Sequence, residues 1–152
     1  MELYDKSSKG GAIMAAIWTE PKTDWLIDDR FNITDYNRIK NNIQWLSEKA
    51  NRLYKVFSCI EMGGDLVTYS SFWDVNVFNA FEENINIINQ NIPTKDYGVQ
   101  QRFYENGPFI KWDELNRIES ACVSMKEILQ RHEKSMKTRL AFRLGNMKGV
   151  RS

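Results

Sequence analysis

The chain has 152 residues, 42% hydrophobic and 27% charged, with a formal net charge of +1. That length allows one domain with its own core, and the near balance of charge excludes a global field directed at nucleic acid or a membrane surface. No apolar run approaches the ~20 residues that span a bilayer, and the opening Met1-Glu2-Leu3-Tyr4-Asp5 has neither the basic residues nor the apolar core of a secretory signal.

In chain order, residues 1–14 carry Ser7-Ser8-Lys9-Gly10-Gly11 and predict a flexible N-terminal arm, with Met14 as an alternative start. Residues 15–31 are rich in aromatics, including Trp18, Trp25 and Phe31, and Pro21 favours extended backbone there. This stretch predicts an arm that packs back on the domain. Alternatively, Trp18 and Trp25 anchor a neighbouring subunit, since Trp is enriched at binding hot spots.

The first helix is predicted over residues 32–62, with Gly63 as its left-handed stop. Its apolar seam is Tyr36, Ile39, Ile43, Leu46, Ala50, Leu53, Phe57 and Ile60. The linker from 64 to 74 is rich in β-formers and predicts a short strand. A second helix follows over 75–91, with the seam Phe78, Phe81, Ile85, Ile88 and Ile92. Its polar side, with Glu82, Glu83, Asn84, Asn86 and Asn89, suits an interface or a wet face.

The next linker opens with Pro93-Thr94-Lys95-Asp96-Tyr97, an echo of Pro21-Lys22-Thr23-Asp24-Trp25. A linker that long, with no helix of its own, predicts a contact surface. The third helix is predicted over 112–144, with Gly145 as its stop and the seam Leu115, Ile118, Cys122, Met125, Leu129, His132 and Met136. In all three helices the seam alternates steps of three and four, which keeps an apolar stripe facing a partner helix. After Glu133 there are no acids, and residues 146–152 form a basic tail continuing the charge of Arg139 and Arg143 with Lys148 and Arg151. Basic charge at a helix C-terminus suits the dipole by itself; such a tail also suits an acidic partner or phosphates.

The three helix starts resemble one another. An apolar residue (Phe31, Trp73, Ile110) is followed five positions later by another (Tyr36, Phe78, Leu115), the spacing of a hydrophobic staple. Next comes an asparagine, Asn37, Asn79 or Asn116. Asn is mildly unfavourable inside a helix, so its recurrence predicts a tie to the incoming linker or to a neighbouring helix. Asn32 and Asp74 are good N-caps, whereas Lys111 departs from the pattern. These signals predict an all-α fold: one helical domain over 15–145, built from three arm-plus-helix units at 15–63, 64–91 and 92–145.

Residues for catalysis are missing from the pattern. The single histidine, His132, falls on a seam, where a packing role is the plain reading. Cys59 and Cys122 are far apart and form no CxxC, which predicts free thiols and a reducing origin. No HExxH, phosphate-binding glycine loop or GxSxG occurs. The adjacent acids Asp28/Asp29 and Glu82/Glu83 do not converge on one bond. The expectation is a protein with no catalytic residues, metal or cofactor.

Pro21-Lys22-Thr23-Asp24-Trp25, then Asp29, Phe31-Asn32 and Asp35-Tyr36-Asn37-Arg38-Ile39, resemble a segment of minor structural proteins of tailed bacteriophages and prophages of Gram-positive bacteria. Leu115-Asn116-Arg117-Ile118-Glu119 look like a second, partial copy. The resemblance implies a virion subunit made in the host cytoplasm, placed at the tail tip, baseplate or fibre attachment. Its partners would be other virion proteins and further copies of itself in a symmetric assembly. Trp18, Trp25, Tyr97, Phe103 and Trp112 are the expected interface aromatics, and Arg139, Arg143, Lys148 and Arg151 a further contact. Three alternatives remain at this point: a neck or head–tail adaptor touching DNA, a cytoplasmic helical DNA-binding regulator, and an unrecognised enzyme, whose sign would be a deep pocket with converging titratable groups.

Overall fold

The computed structural model describes residues 15–68 and 75–151, with side chains placed as far as residue 144. Its regular elements are α1 (Ile33–Leu53), α2 (Val75–Asn91) and α3 (Trp112–Arg151). No strand occurs among the described residues, so the fold is all-α and the β-rich linker is not a strand at residues 64–68. Trp73, Asp74 and the N-terminal arm 1–14 lie outside the described residues, as do the side chains of Lys148 and Arg151.

The start of α1 follows from its sequence. The Asp35 amide donates to Asn32 Oδ1 at 3.1 Å, and the Asn32 amide donates back to Asp35 Oδ2 at 3.0 Å. This reciprocal box satisfies two amides that the first helical turn would leave unpaired. Helix α3 has no such cap at Lys111. It has instead Asp113 and Glu114 in its first turn, where the dipole favours negative charge.

The helices begin at one end of the molecule. Arg38 of α1 reaches Glu119 of α3 at 2.6 Å, Arg117 of α3 pairs with Glu82 of α2, and the rings of Tyr36 and Phe78 lie 5.7 Å apart. Further along, Lys49 pairs with Glu133 at 2.9 Å, and Tyr54 packs on His132 with ring centroids 4.5 Å apart. The bundle is therefore parallel. The predicted seams meet in one core: Tyr36, Ile39, Ile43, Leu46 and Ala50 of α1, Phe78, Phe81, Ile85, Ile88 and Ile92 on α2 and just after it, and Leu115, Ile118, Cys122, Met125 and Leu129 of α3.

Two helix ends differ from the sequence expectation. Helix α1 stops at Leu53, not at residue 62. The Asn51 side chain donates to the Ser47 carbonyl and accepts the Phe57 amide at 2.6 Å, which turns the chain out of the helix. Beyond it, tertiary partners take over the backbone groups. Asn84 holds Ile60, and Lys40 Nζ donates to the Gly63 carbonyl. Phe57 and Ile60 thus fit the helical period without being helical. Gly63 does adopt a left-handed φ of 78°, but in mid-linker. Helix α3, in contrast, runs through Gly145 to Arg151. A glycine costs a helix interior only about 1 kcal/mol, and residues 146–152 contain no proline. The basic tail is therefore the last turns of α3, not a separate segment.

Replacing Leu46, fully buried at the centre of the core, by Ala should cost about 2–5 kcal/mol in chemical denaturation. The same change at exposed Leu140 should stay within about 0.5 kcal/mol.

Candidate functional site

A parallel bundle obliges the chain to return to its starting end after every helix. Six asparagines hold these returns and the approach to α1, each by the same pair of bonds: the amide nitrogen donates to a linker carbonyl, and the amide oxygen accepts the N–H of the same residue. Asn37 holds Leu66, Asn79 holds Phe103 and Asn116 holds Trp25, at distances between 2.7 and 3.0 Å. These are the three asparagines singled out by the helix starts. Asn42 holds Thr19 and Asn84 holds Ile60, both pairs at 2.7 and 2.9 Å. Asn89 holds Lys95 just past the end of α2.

Asn is suited to this because one planar group carries a donor and an acceptor side by side, matching the N–H and C=O of a single linker residue. At about 100° per residue, positions five apart project roughly 140° from each other around a helix. Asn37 and Asn42 therefore hold linkers on opposite flanks of α1, and Asn79 and Asn84 do the same on α2. The first linker lies between α1 and α3, the second between α1 and α2, and the third between α2 and α3. Position 121 of α3, where this spacing would place a further asparagine, is Ala. There Arg117 Nη1 donates to the Tyr97 carbonyl at 3.2 Å instead.

Two buried carboxylates join linkers to helices. Glu119, 1% exposed, accepts from Arg38 Nε and Nη2, Trp25 Nε1 and the Lys22 amide at 2.6–3.0 Å. Glu82 accepts from Arg117, which also reaches Glu114 Oε1 at 2.8 Å. Burial pushes the Glu82 carboxyl above the ordinary range, against the pull of Arg117. Gly98 makes room for this arginine. Its φ is +89°, and a Cβ there would stand 2.6 Å from Arg117 Cδ. On the polar side of α2, expected to be an interface or wet, Glu82 and Asn84 are buried, whereas Glu83, Asn86 and Asn89 stay partly exposed.

The aromatics expected at an intersubunit interface divide accordingly. Trp25 is 2% exposed and sits between Lys22, Arg38 and Glu119, so it is not available as an anchor for a neighbour. Phe103 is held by Asn79 and packs on Phe78, and Tyr97 lies half-buried against the core. Trp18 packs on Trp45 at 5.2 Å, beneath Lys126 Nζ at 4.7 Å. Trp112 alone of the five is well exposed, at 41%. It lines a groove of about 750 Å³ with Phe31, Phe109 and Ile110, at the end where the helices start. The staple residues Phe31, Phe78, Ile110 and Leu115 all contribute to that end of the core.

Burial pushes the thiols of Cys59 and Cys122 upward, the opposite of what an attacking cysteine requires. His132 stacks on Tyr54. Among the described residues no group of three His, Cys, Asp or Glu side chains is placed to hold a metal ion, and no helix is long and apolar enough to cross a membrane. No known protein family, curated protein or solved structure matches the chain.

Sequence reasoning found Asn37, Asn79 and Asn116 but missed Asn42, Asn84 and Asn89. The repeated spacing of five residues was the available signal. Glu119 was also missed, since an acid on a helix reads as solvated unless its buried partners are known.

Glu119→Ala, which strands Arg38 and Trp25 Nε1, should cost about 3–5 kcal/mol. Asn84→Asp should cost about 1–3 kcal/mol, because a carboxylate would face the Ile60 carbonyl. Such a buried acid has its folded pKa raised, so the loss should be smaller at pH 4 than at pH 7 in paired denaturation curves. Asp65 has the opposite sign. Lys40 draws its carboxyl below the ordinary value, so its contribution is present above about pH 4 and fades as pH falls through the folded value. Asp65→Asn should therefore lower stability at pH 7 and flatten the acid limb.

Proposed function

We propose that this protein is a non-enzymatic structural subunit of a tailed bacteriophage particle, placed at the tail tip, baseplate or fibre attachment. The single observation that carries the reading is the clamp system. Extended linkers are fastened along the outside of a parallel bundle by paired amide bonds at Leu66, Phe103 and Trp25. Such a body presents surfaces at both ends. At the starting end is the groove lined by Phe31, Phe109 and Trp112. At the other end α3 continues beyond α1 and α2, with residues 134–144 exposed. The resemblance of the Pro21–Trp25 and Asn32–Ile39 stretches to phage structural proteins supplies the setting.

A second reading has one observation in its favour. The exposed part of α3 carries Arg139 and Arg143 and no acid, which suits a neck or head–tail adaptor touching DNA. Binding to duplex DNA that weakens steeply with salt, and is lost when Arg139, Arg143, Lys148 and Arg151 become Gln, would support that placement.

Mass spectrometry of particles purified after prophage induction tests the main reading. The chain should co-purify in a fixed ratio to the tail proteins. Its absence from particles, with abundance in the cleared cytoplasm, would overturn the assignment.

A further inference from the structure

Helix α3 outlasts its partners. Its seam is covered by α1 and α2 as far as Leu129, and Lys49–Glu133 is the last ion pair that joins it to another helix among the described residues. The apolar side does not stop there. Met136, Leu140 and Leu144 follow at intervals of four, each between 44% and 59% exposed. At about 100° per residue they fall within roughly 80° of arc, on the same side of α3 as Leu115, Ile118, Cys122 and Leu129. Arg139 and Arg143 border this stripe on one side and Lys137 on the other, while Phe142 points the opposite way. The stripe thus continues an established helix–helix seam past the ends of the helices that cover it.

We infer that this extension is a docking helix for an acidic, amphipathic α-helix of another protein, packed end-on to α1 and α2. The charge selects the partner. From residue 134 to the end there are six cations, Lys134, Lys137, Arg139, Arg143, Lys148 and Arg151, and no acid. A second copy of the same segment would set like charge against like. The narrow stripe with flanking charges is the geometry of a two-helix seam, in which charged borders choose the partner. Duplex DNA would use the cations and leave the stripe in water. A membrane surface asks for a broad apolar face, and here Phe142 stands on the wrong side. A helix end of this length is marginal alone, so covering the stripe also orders it.

This inference names a partner for the structural role proposed above, and the two fail separately. Particle composition tests the role without regard to partner, and peptide binding tests the partner without regard to particles. The probe is a pair of synthetic heptad peptides with identical Leu/Ile seams, one bordered by Glu and the other by Lys. Fluorescence anisotropy at physiological salt should show saturable binding of the acidic peptide to the full chain and at least tenfold weaker binding of the basic one. Leu140→Ser with Leu144→Ser should weaken binding at least tenfold. Arg139→Glu with Arg143→Glu should weaken binding of the acidic peptide at least tenfold and narrow the difference between the two peptides. These positions are exposed, and unchanged circular dichroism and melting would show the bundle intact. The inference is overturned by equal binding of both peptides or by none. It is likewise overturned by self-association that the serine variant abolishes. Tighter binding to a DNA duplex or to phosphatidylserine vesicles than to the acidic peptide also overturns it.

Discussion

One constraint shapes the molecule: three helices of a single chain run the same way, so extended backbone must travel back along the outside twice and approach along it once. Extended backbone at a protein surface can be left to water, but backbone pressed against a helix needs a partner for every N–H and C=O it buries. A β-sheet would meet that demand with another strand. Here helices meet it with asparagine side chains, each presenting a peptide-like donor and acceptor to a single linker residue. The penalty Asn carries inside a helix is small, whereas an unsatisfied buried peptide group costs about 1–3 kcal/mol.

Ionic groups serve the same end with more specificity. Glu119 gathers an arginine from α1, an indole and an amide from the first linker, and is itself on α3. It therefore fixes the relative position of three segments at once. A buried ion pair adds little stability compared with a well-packed apolar group, and its removal is costly because partners are left behind.

The seams of α1, α2 and α3 were legible because the period of apolar residues survives in any register of side-chain identity. The asparagines at 37, 79 and 116 were legible because they recur after the same apolar positions. The end of α1 was not. Phe57 and Ile60 keep the helical spacing, and the path they take instead depends on Asn51 capturing the Phe57 amide and on Asn84, 24 residues beyond Ile60. Likewise the likeness of Pro93-Thr94-Lys95-Asp96-Tyr97 to Pro21-Lys22-Thr23-Asp24-Trp25 does not carry into space. The residue held by the first asparagine of a neighbouring helix is Trp25 in one linker and Phe103, not Tyr97, in the other. Which aromatics face outward was similarly out of reach, since burial of Trp25 depends on a glutamate 94 residues away.

The seating of the first linker between α1 and α3 has a bearing on biosynthesis. Lys22 and Glu119, which close that groove, are 97 positions apart. On the ribosome Lys22 and Trp25 must wait uncovered until α3 has left the exit tunnel. Fastening of the whole is therefore a late event, and so widely separated a contact slows folding. A polypeptide cut short before α3 would keep Ala16 and Thr19 latched to α1 but leave Lys22 and Trp25 without their partners.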